Sequence, residues 1–265
     1  MKKKLYRALT ALLVVILAVC GAVILKNEQE CRAGNRAYEV AARTAGLLEP
    51  PDTGPAPASP SAPQGQPEAD PVPDPLERLA EVDLRALQAV NPDVFGWIEI
   101  PGTIISYPLL QGADNQTYLR RTWLGEANSM GSIFLESTNS RDMNDFHTII
   151  YGHRMRGGDM FADLGKYQEA DFWQEYPSVY LALEDGVRRY DVFAAYEAGV
   201  RSLVYRLDLE GREEELIQFG LDASVLDTGI VPAADEKLLT LSTCTGNGYS
   251  KRWVVQAVLR ETAEK

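Results

Sequence analysis

Prolines divide this chain more sharply than any other residue type. Ten of its 15 prolines fall between Pro50 and Pro75, in the stretch PPDTGPAPASPSAPQGQPEADPVPDP. Proline lacks a backbone N–H and has a fixed φ, so this stretch can form neither a helix nor a central strand. We therefore predict an extended, solvated stalk, in part polyproline II, that shares no core with the domain after it.

The residues before the stalk contain a candidate membrane span. Four basic residues lie among the first seven, and the run from Ala8 to Leu25 that follows has no charge. At about 1.5 Å per residue this run nearly crosses a hydrocarbon core of roughly 30 Å. The basic tip predicts a cytoplasmic N-terminus and an external domain. A cleaved signal peptide is the alternative, although no A-x-A site ends the run.

These boundaries predict three parts. Residues 1–26 form a basic tip and a transmembrane signal-anchor, residues 27–74 a juxtamembrane segment and the stalk, and residues 75–265 the folded domain. A further helix is predicted at about 28–48, between the membrane span and the prolines.

The residues after the stalk predict a mostly β domain. Asp74 and Pro75 are typical of a helix start, and an apolar face at roughly helical spacing continues to Pro92. Two helical inserts are expected later, at about Met160–Trp173 and Arg212–Val225. Regular strand–helix alternation is absent, which favours a closed or half-closed, mostly antiparallel β-barrel with helices over a doubly wound α/β fold. The predicted strands are short runs rich in Val, Ile, Tyr and Phe: VFGWIEI, IISYPLL, SIFLE, HTIIYG, SVYLAL, RRYDVFAAYEA, LVYRLDL, KLLTLSTC and RWVVQAVL.

The cysteines point to nucleophilic chemistry. The chain has three, and Cys20 and Cys31 lie in or just after the membrane span, which leaves Cys244 alone in the domain. A lone cysteine in an external domain cannot form a disulfide within that domain. A buried, inert cysteine is the alternative, but Cys244 ends an apolar run beside a flexible turn, where a sheet rim is expected.

Histidine and arginine supply the other candidates. A Cys–His pair must use His147 or His153, the two histidines of the chain. His147 begins an apolar run, whereas His153 follows that run on a loop, and strand-end loops favour catalytic residues. Arg252 opens the strand after Cys244, where a guanidinium could stabilise a developing oxyanion, although a solvated ion pair is the commoner use of arginine. Lys251 could share either role.

Other classes of function are disfavoured. The formal net charge of −12 argues against nucleic acid as a partner. No cysteine pair and no H-x-x-x-H helix occurs, so we expect no metal site, and we expect no cofactor.

These residues together resemble the sortases. The run TLSTC with an arginine eight residues later, and a histidine after IIYG, are typical of that family. The segments GWIEIPGTIISYPLLQGADNQTYLRR and GHRMRGGDMFADLGKY are similar to class B sortases in particular, and the likeness extends from about Leu76 to Arg260. The resemblance implies an eight-stranded sortase-type β-barrel with an N-terminal helix, and a cysteine transpeptidase of Gram-positive cell surfaces.

The resemblance also implies residue roles. Cys244 would be the nucleophile, His153 the general acid and base, and Arg252 the residue that holds the oxyanion or the substrate. The loop TGNGYSK lacks the acidic residue that some relatives carry after the cysteine, which leaves its substrate contacts open. Residues around the bound signal are implied to be Asn115, Leu119, Ser242 and Tyr205.

The implied substrates are secreted proteins with a C-terminal sorting signal. The enzyme would cut that signal and join the new carboxyl end to an amine of a cell-wall precursor or of a pilin, with the bilayer as a further partner through the N-terminal helix. Pilin polymerisation and an unrelated extracellular cysteine peptidase are the alternatives. Papain-like enzymes place cysteine early and histidine late, whereas here the order is reversed.

Overall fold

The computed structural model describes residues 2–49, 74–245 and 250–265. The polyproline stalk predicted between Pro50 and Pro75 and most of the loop TGNGYSK therefore lie outside the described residues. Five α-helices are described: Lys2–Thr44 (α1), Pro75–Ala80 (α2), Leu84–Val90 (α3), Ala170–Glu175 (α4) and Glu213–Ala223 (α5). Short 3₁₀ helices cover Thr117–Arg120, Ala162–Gln168 and Leu203–Tyr205.

The strands of the described chain form a closed barrel in the order β1-β2-β3-β4-β7-β8-β6-β5. Neighbours are antiparallel except for the parallel pairs β2–β3 and β4–β7. Pairing of β5 with β1 closes the sheet, which removes its free edges. The predicted mostly β, eight-stranded barrel is confirmed. Its strands are Val94–Glu99 (β1), Ser106–Leu110 (β2), Ile133–Leu135 (β3), His147–Tyr151 (β4), Ser178–Leu183 (β5), Gly186–Gly199 (β6), Leu238–Cys244 (β7) and Lys251–Glu264 (β8).

One predicted strand is wrong. The run LVYRLDL instead forms the 3₁₀ helix Leu203–Tyr205 and a loop. Every strand of the closed barrel already has two neighbours, so the barrel offers no edge with which this run could pair. The β-branched and aromatic residues that suggest a strand serve packing instead: Val204 is fully buried in a second apolar cluster that includes residues of α5.

The predicted helices differ in detail from those observed. The helix after the stalk is two short helices, because the Asp83 side chain accepts a hydrogen bond from the Ala86 N–H at 2.9 Å and starts α3 anew. Asp74 caps α2 as predicted, accepting from Leu76 N–H at 3.0 Å. The insert at Met160–Trp173 is a 3₁₀ helix followed by α4, and the second insert is α5.

The apolar run of the N-terminus lies on α1 and faces outward. In the described chain α1 is the one helix long and apolar enough to cross a membrane. Its large apolar side chains between Leu9 and Leu25 are exposed, several by about 60%. A soluble domain does not expose so large an apolar surface on one helix. We therefore expect this segment to be a membrane span or a signal sequence.

The far end of α1 belongs to the barrel core. Ala37, Tyr38, Ala41 and Ala45 are buried in the main apolar cluster. The Trp123 indole N–H donates to the Ala37 carbonyl at 2.6 Å. The helix predicted at about 28–48 thus continues from the apolar run and packs against the barrel. Residues before the predicted domain start at 75 therefore contribute to its core.

Because α1 packs against the barrel, the proline-rich residues do not connect the apolar run to the barrel. The Asp83 N–H donates to the Ala45 carbonyl at 3.1 Å, so the end of α1 lies next to the start of α3. Residues 50–73 thus join two segments that both contact the barrel. The connection from the apolar run to the barrel is made by helix, over about 18 Å from Leu25 to Ala37.

Candidate active site

Sheet pairing brings three predicted site residues to one end of the barrel. Cys244 is the last residue of β7 and lies opposite Arg252, the second residue of β8, in the antiparallel register. Strand β4 runs parallel to β7 with Tyr151 opposite Ser242, so His153, two residues past β4, reaches the same end. The thiol of Cys244, the imidazole of His153 and the guanidinium of Arg252 therefore lie at the same end of the barrel.

The imidazole of His153 is held in one orientation. Its Nε2 donates to the Leu119 carbonyl at 2.7 Å. Since a carbonyl oxygen can only accept, Nε2 carries a hydrogen, and Nδ1 is left to face the thiol.

The thiol and the imidazole shift each other's proton affinity. The hydrogen bond with His153 lowers the pKa of Cys244 below its usual value, with Arg252 adding to this effect and burial opposing it. The same bond raises the pKa of His153, against the effect of burial. Both shifts favour a thiolate–imidazolium pair, which is the reactive form of a cysteine nucleophile.

Glycines allow the backbone around His153 to pack closely. Gly131 has a φ of +60°, and a Cβ there would lie 2.7 Å from the Leu119 carbonyl and 3.0 Å from the His153 ring. A Cβ on Gly152 would lie 2.4 Å from Ile133 Cδ1. Both positions exclude larger residues, so these glycines fix where the imidazole sits.

The other histidine is a buried structural residue. His147 Nδ1 donates to the Arg206 carbonyl at 3.4 Å, and the Thr240 hydroxyl lies 2.8 Å from Nε2. Burial lowers the pKa of His147 to about 4, so the ring is neutral at physiological pH. His147 is not among the described residues that line the cavity beside Cys244.

A mostly apolar cavity of about 400 Å³ opens beside Cys244. Asn115, Leu119 and Ser242, the predicted substrate-binding residues, line it. The fourth, Tyr205, contacts the cavity wall through Ser242, at 2.9 Å between their hydroxyl oxygens. The lining is completed by Phe134, Tyr151, Gly152, His153, Thr243, Cys244 and Arg252.

A polar group behind this cavity is not among the residues predicted from the sequence. Glu136 Oε2 accepts from the Asn115 amide at 2.6 Å and from the Tyr151 hydroxyl at 3.0 Å. The side-chain Oδ1 of Asn115 in turn accepts from Ser137 N–H at 2.8 Å. The sequence feature that could have identified Glu136 is its position at the end of the predicted strand SIFLE. Its partners lie 15 and 21 residues away, beyond the reach of a local pattern.

The remaining candidates lie apart from the cavity. Cys20 and Cys31 are on α1, the first exposed and the second partly buried. Lys251 neighbours Arg252 in β8, but successive strand residues face opposite sides. Its ammonium lies 3.4 Å from Glu197 Oε2, in a surface ion pair.

Comparison with known proteins identifies the family. The sortase domain family model matches residues 98–260. Sortase B of Listeria monocytogenes is 38% identical over 185 residues, which cover 67% of this chain and 74% of that protein. Sortase B of Staphylococcus aureus is 32% identical over 179 residues, which cover 65% of this chain and 72% of that protein.

Solved structures agree with these sequence relatives. The Staphylococcus aureus sortase B–substrate complex matches with a TM-score of 0.64 and 28% identity, over 68% of this chain and 85% of the other. Clostridium perfringens sortase B matches with a TM-score of 0.62 and 29% identity, over 67% and 99% of the two chains. On its fold, its matched domain and these relatives, the chain belongs to the sortase family of cysteine transpeptidases and within it to the class B sortases.

Proposed function

We propose that this chain is a membrane-anchored transpeptidase that cleaves a C-terminal sorting signal through a thioester on Cys244. It then transfers the secreted protein to a cell-wall amine. The observation that carries the proposal is that Cys244, His153 and Arg252 line the same apolar cavity at one end of the barrel. The Staphylococcus aureus relative forms a substrate complex, which supports a substrate site here as well.

The first half-reaction makes the thioester. The Cys244 thiolate attacks the scissile carbonyl, and the carbonyl electron pair moves to oxygen. Arg252, which pairs with Cys244 across β7 and β8, stabilises that oxyanion with a charged, planar donor. The C–N bond then breaks as the His153 imidazolium gives its Nδ1 proton to the leaving amine.

The second half-reaction releases the enzyme. An incoming amine attacks the thioester carbonyl and passes its proton to the now neutral His153. The C–S bond breaks, an amide forms, and the thiolate–imidazolium pair is restored. The Leu119 carbonyl accepts from Nε2 throughout, so the ring keeps Nδ1 toward the sulfur in both directions of transfer.

The membrane location rests on α1. Its outward apolar run after a basic tip supports a single-pass anchor with a cytoplasmic N-terminus and an external catalytic domain. An external domain also fits a substrate that is secreted before it is cut.

The test is covalent trapping. The full chain in detergent is incubated with a panel of candidate signal peptides, and its intact mass is measured. We expect an acyl adduct with at least one peptide, lost in Cys244→Ala and retained in Cys20→Ala and Cys31→Ala. An adduct on another residue, or the same adduct in Cys244→Ala, would contradict the proposal.

A further inference from the structure

The contacts of α1 with the barrel follow one another in order along the helix. Ala45, just past its last turn, accepts a hydrogen bond from the residue that precedes α3. Tyr38, about two turns earlier, donates to the carbonyl of Gly131, just before β3. Glu30, about two further turns earlier, accepts from the Asn128 side chain at 2.8 Å. The helix therefore runs along the side of the barrel toward the apolar run.

Strand register shows which end of the barrel α1 approaches as it nears the apolar run. Phe134 of β3 pairs with Tyr151 of β4, and Tyr151 lies opposite Ser242, close to Cys244 in β7. Gly131, just before β3, therefore lies at the Cys244 end. Strand β2 runs parallel to β3 and antiparallel to β1, so the start of β1, which follows α3, lies at the opposite end. The Cys244 end of the barrel is thus the end nearer to the apolar run.

The length of helix between the apolar run and the barrel is short. The exposed apolar run ends at Leu25, Glu30 is one and a half turns further, and α1 is helical throughout this stretch. At about 1.5 Å per residue, the contact of Glu30 with Asn128 lies about 8 Å or less beyond the edge of the hydrocarbon core. A headgroup layer occupies about 5–8 Å on each side of that core. The segment around Asn128 therefore lies at the level of the lipid headgroups.

The exposed charges at this level suit an anionic surface. Arg120 is exposed, and its carbonyl accepts from the Asn128 N–H at 3.0 Å, which places it beside the segment nearest to the bilayer. Guanidinium groups bind phosphates with charge-assisted, planar hydrogen bonds. Other exposed arginines in loops at the Cys244 end are Arg154, Arg156 and Arg201. A cavity at the opposite end is instead lined by the carboxylates of Asp142, Glu184 and Asp185 together with Arg141.

We propose that the Cys244 end of the barrel is a second membrane-contact surface, seated on anionic phospholipid headgroups through the exposed residues Arg120 and Ser129. The inference rests on the proposed membrane anchor in α1. Because α1 passes without a break from its apolar run into the main core, it acts as a spacer of fixed length. The nucleophile is then held on the bilayer side of the barrel, and Arg120 binds lipid phosphate.

The first test measures distance from the headgroups. The full chain, with its native cysteines changed to Ala, carries a bimane label at Ser129→Cys or at Ala89→Cys, in nanodiscs of equal parts of phosphatidylcholine and phosphatidylglycerol. Ala89 is exposed on α3, beside the end of α1 and about 30 Å from Leu25 along the helix. We expect nitroxide-headgroup lipids to quench the label at position 129 severalfold more than the label at position 89.

A label on the native Cys20, in Cys31→Ala and Cys244→Ala, reports the anchor separately. Cys20 is exposed within the apolar run, so a nitroxide deep in the acyl chains should quench it. Equal quenching at positions 129 and 89, with Cys20 quenched, would overturn the contact surface and leave the anchor intact. An unquenched Cys20 label would instead show that the proposed anchor itself is wrong.

The second test changes the length of the spacer. Insertion of seven alanines after Lys26 lengthens α1 by about 10 Å and nearly completes two turns, so the barrel keeps its facing. We expect quenching at position 129 to fall to the level at position 89, while Cys20 stays quenched. Retained quenching at position 129 would overturn the fixed-height argument on which the proposal stands.

The third test concerns lipid charge. Quenching of the label at position 129 is compared between acyl-chain nitroxides on phosphatidylglycerol and on phosphatidylcholine. We expect a preference for phosphatidylglycerol, reduced about two- to fivefold in Arg120→Gln, as expected for one basic residue at an anionic surface. Arg85→Gln, which removes an exposed arginine of α3, is the charge-matched control and should retain the preference. An equal response to the two lipids, or a preference that survives Arg120→Gln, would contradict the phosphate contact.

Discussion

At the scale of single residues, the pKa values of Cys244 and His153 move toward each other. The hydrogen bond between them is the largest cause of both shifts. Each group favours the charged form of its partner, so the two titrations are coupled. Activity should therefore rise as the thiol ionises, below its ordinary pKa, and fall as the imidazolium loses its proton, above its ordinary pKa.

Removal of the imidazole should move the pKa of Cys244 back toward that of an ordinary thiol. In His153→Ala we expect the midpoint of iodoacetamide alkylation of Cys244 to move to higher pH, toward about 8.5. Alkylation is followed by mass spectrometry of the peptide that contains Cys244, which separates it from Cys20 and Cys31. His147→Ala is the matched control, because that ring lies outside the cavity. An unchanged midpoint in His153→Ala would mean that another group sets the thiol pKa.

Substitutions of Arg252 test whether the planar geometry of its guanidinium is needed or only its positive charge. An ammonium lacks the planar fork of a guanidinium, so we expect Arg252→Lys to lower kcat by at least roughly tenfold and Arg252→Ala to lower it further. Lys251→Ala should have little effect, since its side chain pairs with Glu197. Steady-state kinetics on an acylating signal peptide measure this, with thermal unfolding as the control for folding. Near-normal turnover in Arg252→Lys would reduce Arg252 to a simple electrostatic neighbour of the thiolate.

At the scale of elements, the segment from the 3₁₀ helix Thr117–Arg120 to β3 holds the His153 ring in place. Leu119 supplies the carbonyl for His153 Nε2. Ser132 N–H donates to the Tyr118 carbonyl at 3.0 Å, and the Ser132 hydroxyl donates to the Arg121 carbonyl at 2.8 Å. The end of α1 braces the same segment, because the Tyr38 hydroxyl donates to the Gly131 carbonyl.

Two glycines of this segment separate backbone strain from crowding. Gly131 and Gly125 both have positive φ, but of the two only Gly131 has atoms within 4 Å of the place that a Cβ would occupy. We expect Gly125→Ala to cost about 1 kcal/mol of stability and to retain turnover. Gly131→Ala should also displace the Leu119 carbonyl from His153 and lower kcat by at least about tenfold.

The measurements are chemical denaturation and signal-peptide cleavage. Equal turnover in the two variants would show that the Leu119 carbonyl does not have to hold its position for catalysis.

At the scale of the whole molecule, α1 links the apolar run to the barrel without a break. It extends from Lys2 to Thr44, and its last turns lie in the main core. Asn128 donates to the Glu30 carbonyl at 2.8 Å, and Met130 Sδ occupies the space where a Cβ on Gly34 would be. We therefore expect residues from about 30 to 45 to belong to the catalytic body, and the helix, not the proline-rich stretch, to set its distance from the membrane.

Truncation tests this boundary. A chain that begins at residue 27 should unfold cooperatively, whereas one that begins at residue 75 should have a Tm lower by at least about 5 °C. The physical reason is that removal of the Tyr38 region exposes apolar surface around Trp123 and Met130, at a cost of a few kcal/mol. Tyr38→Ala in the longer chain isolates this contact and should account for part of the loss. Equal Tm values for the two chains would place the boundary back at residue 75.

The chemistry available to this chain could be predicted from its amino-acid sequence. A lone cysteine at a strand end, a histidine after IIYG and an arginine at the next strand start could be assigned because strand ends follow from local composition and turns. The apolar run and the barrel class followed in the same way, from patterns that extend over few residues. The face of the sheet on which each residue lies also follows from the two-residue period of a strand.

The way in which those residues are held depends on contacts between distant parts of the chain. The parallel pairing of β4 with β7 joins segments about 90 residues apart, and no local pattern encodes such a register. The acceptor for His153 is a backbone carbonyl, which carries no side-chain identity for a sequence to reveal. The docking of α1 and the failure of LVYRLDL to form a strand have the same cause: both depend on which surfaces and edges the rest of the barrel leaves open.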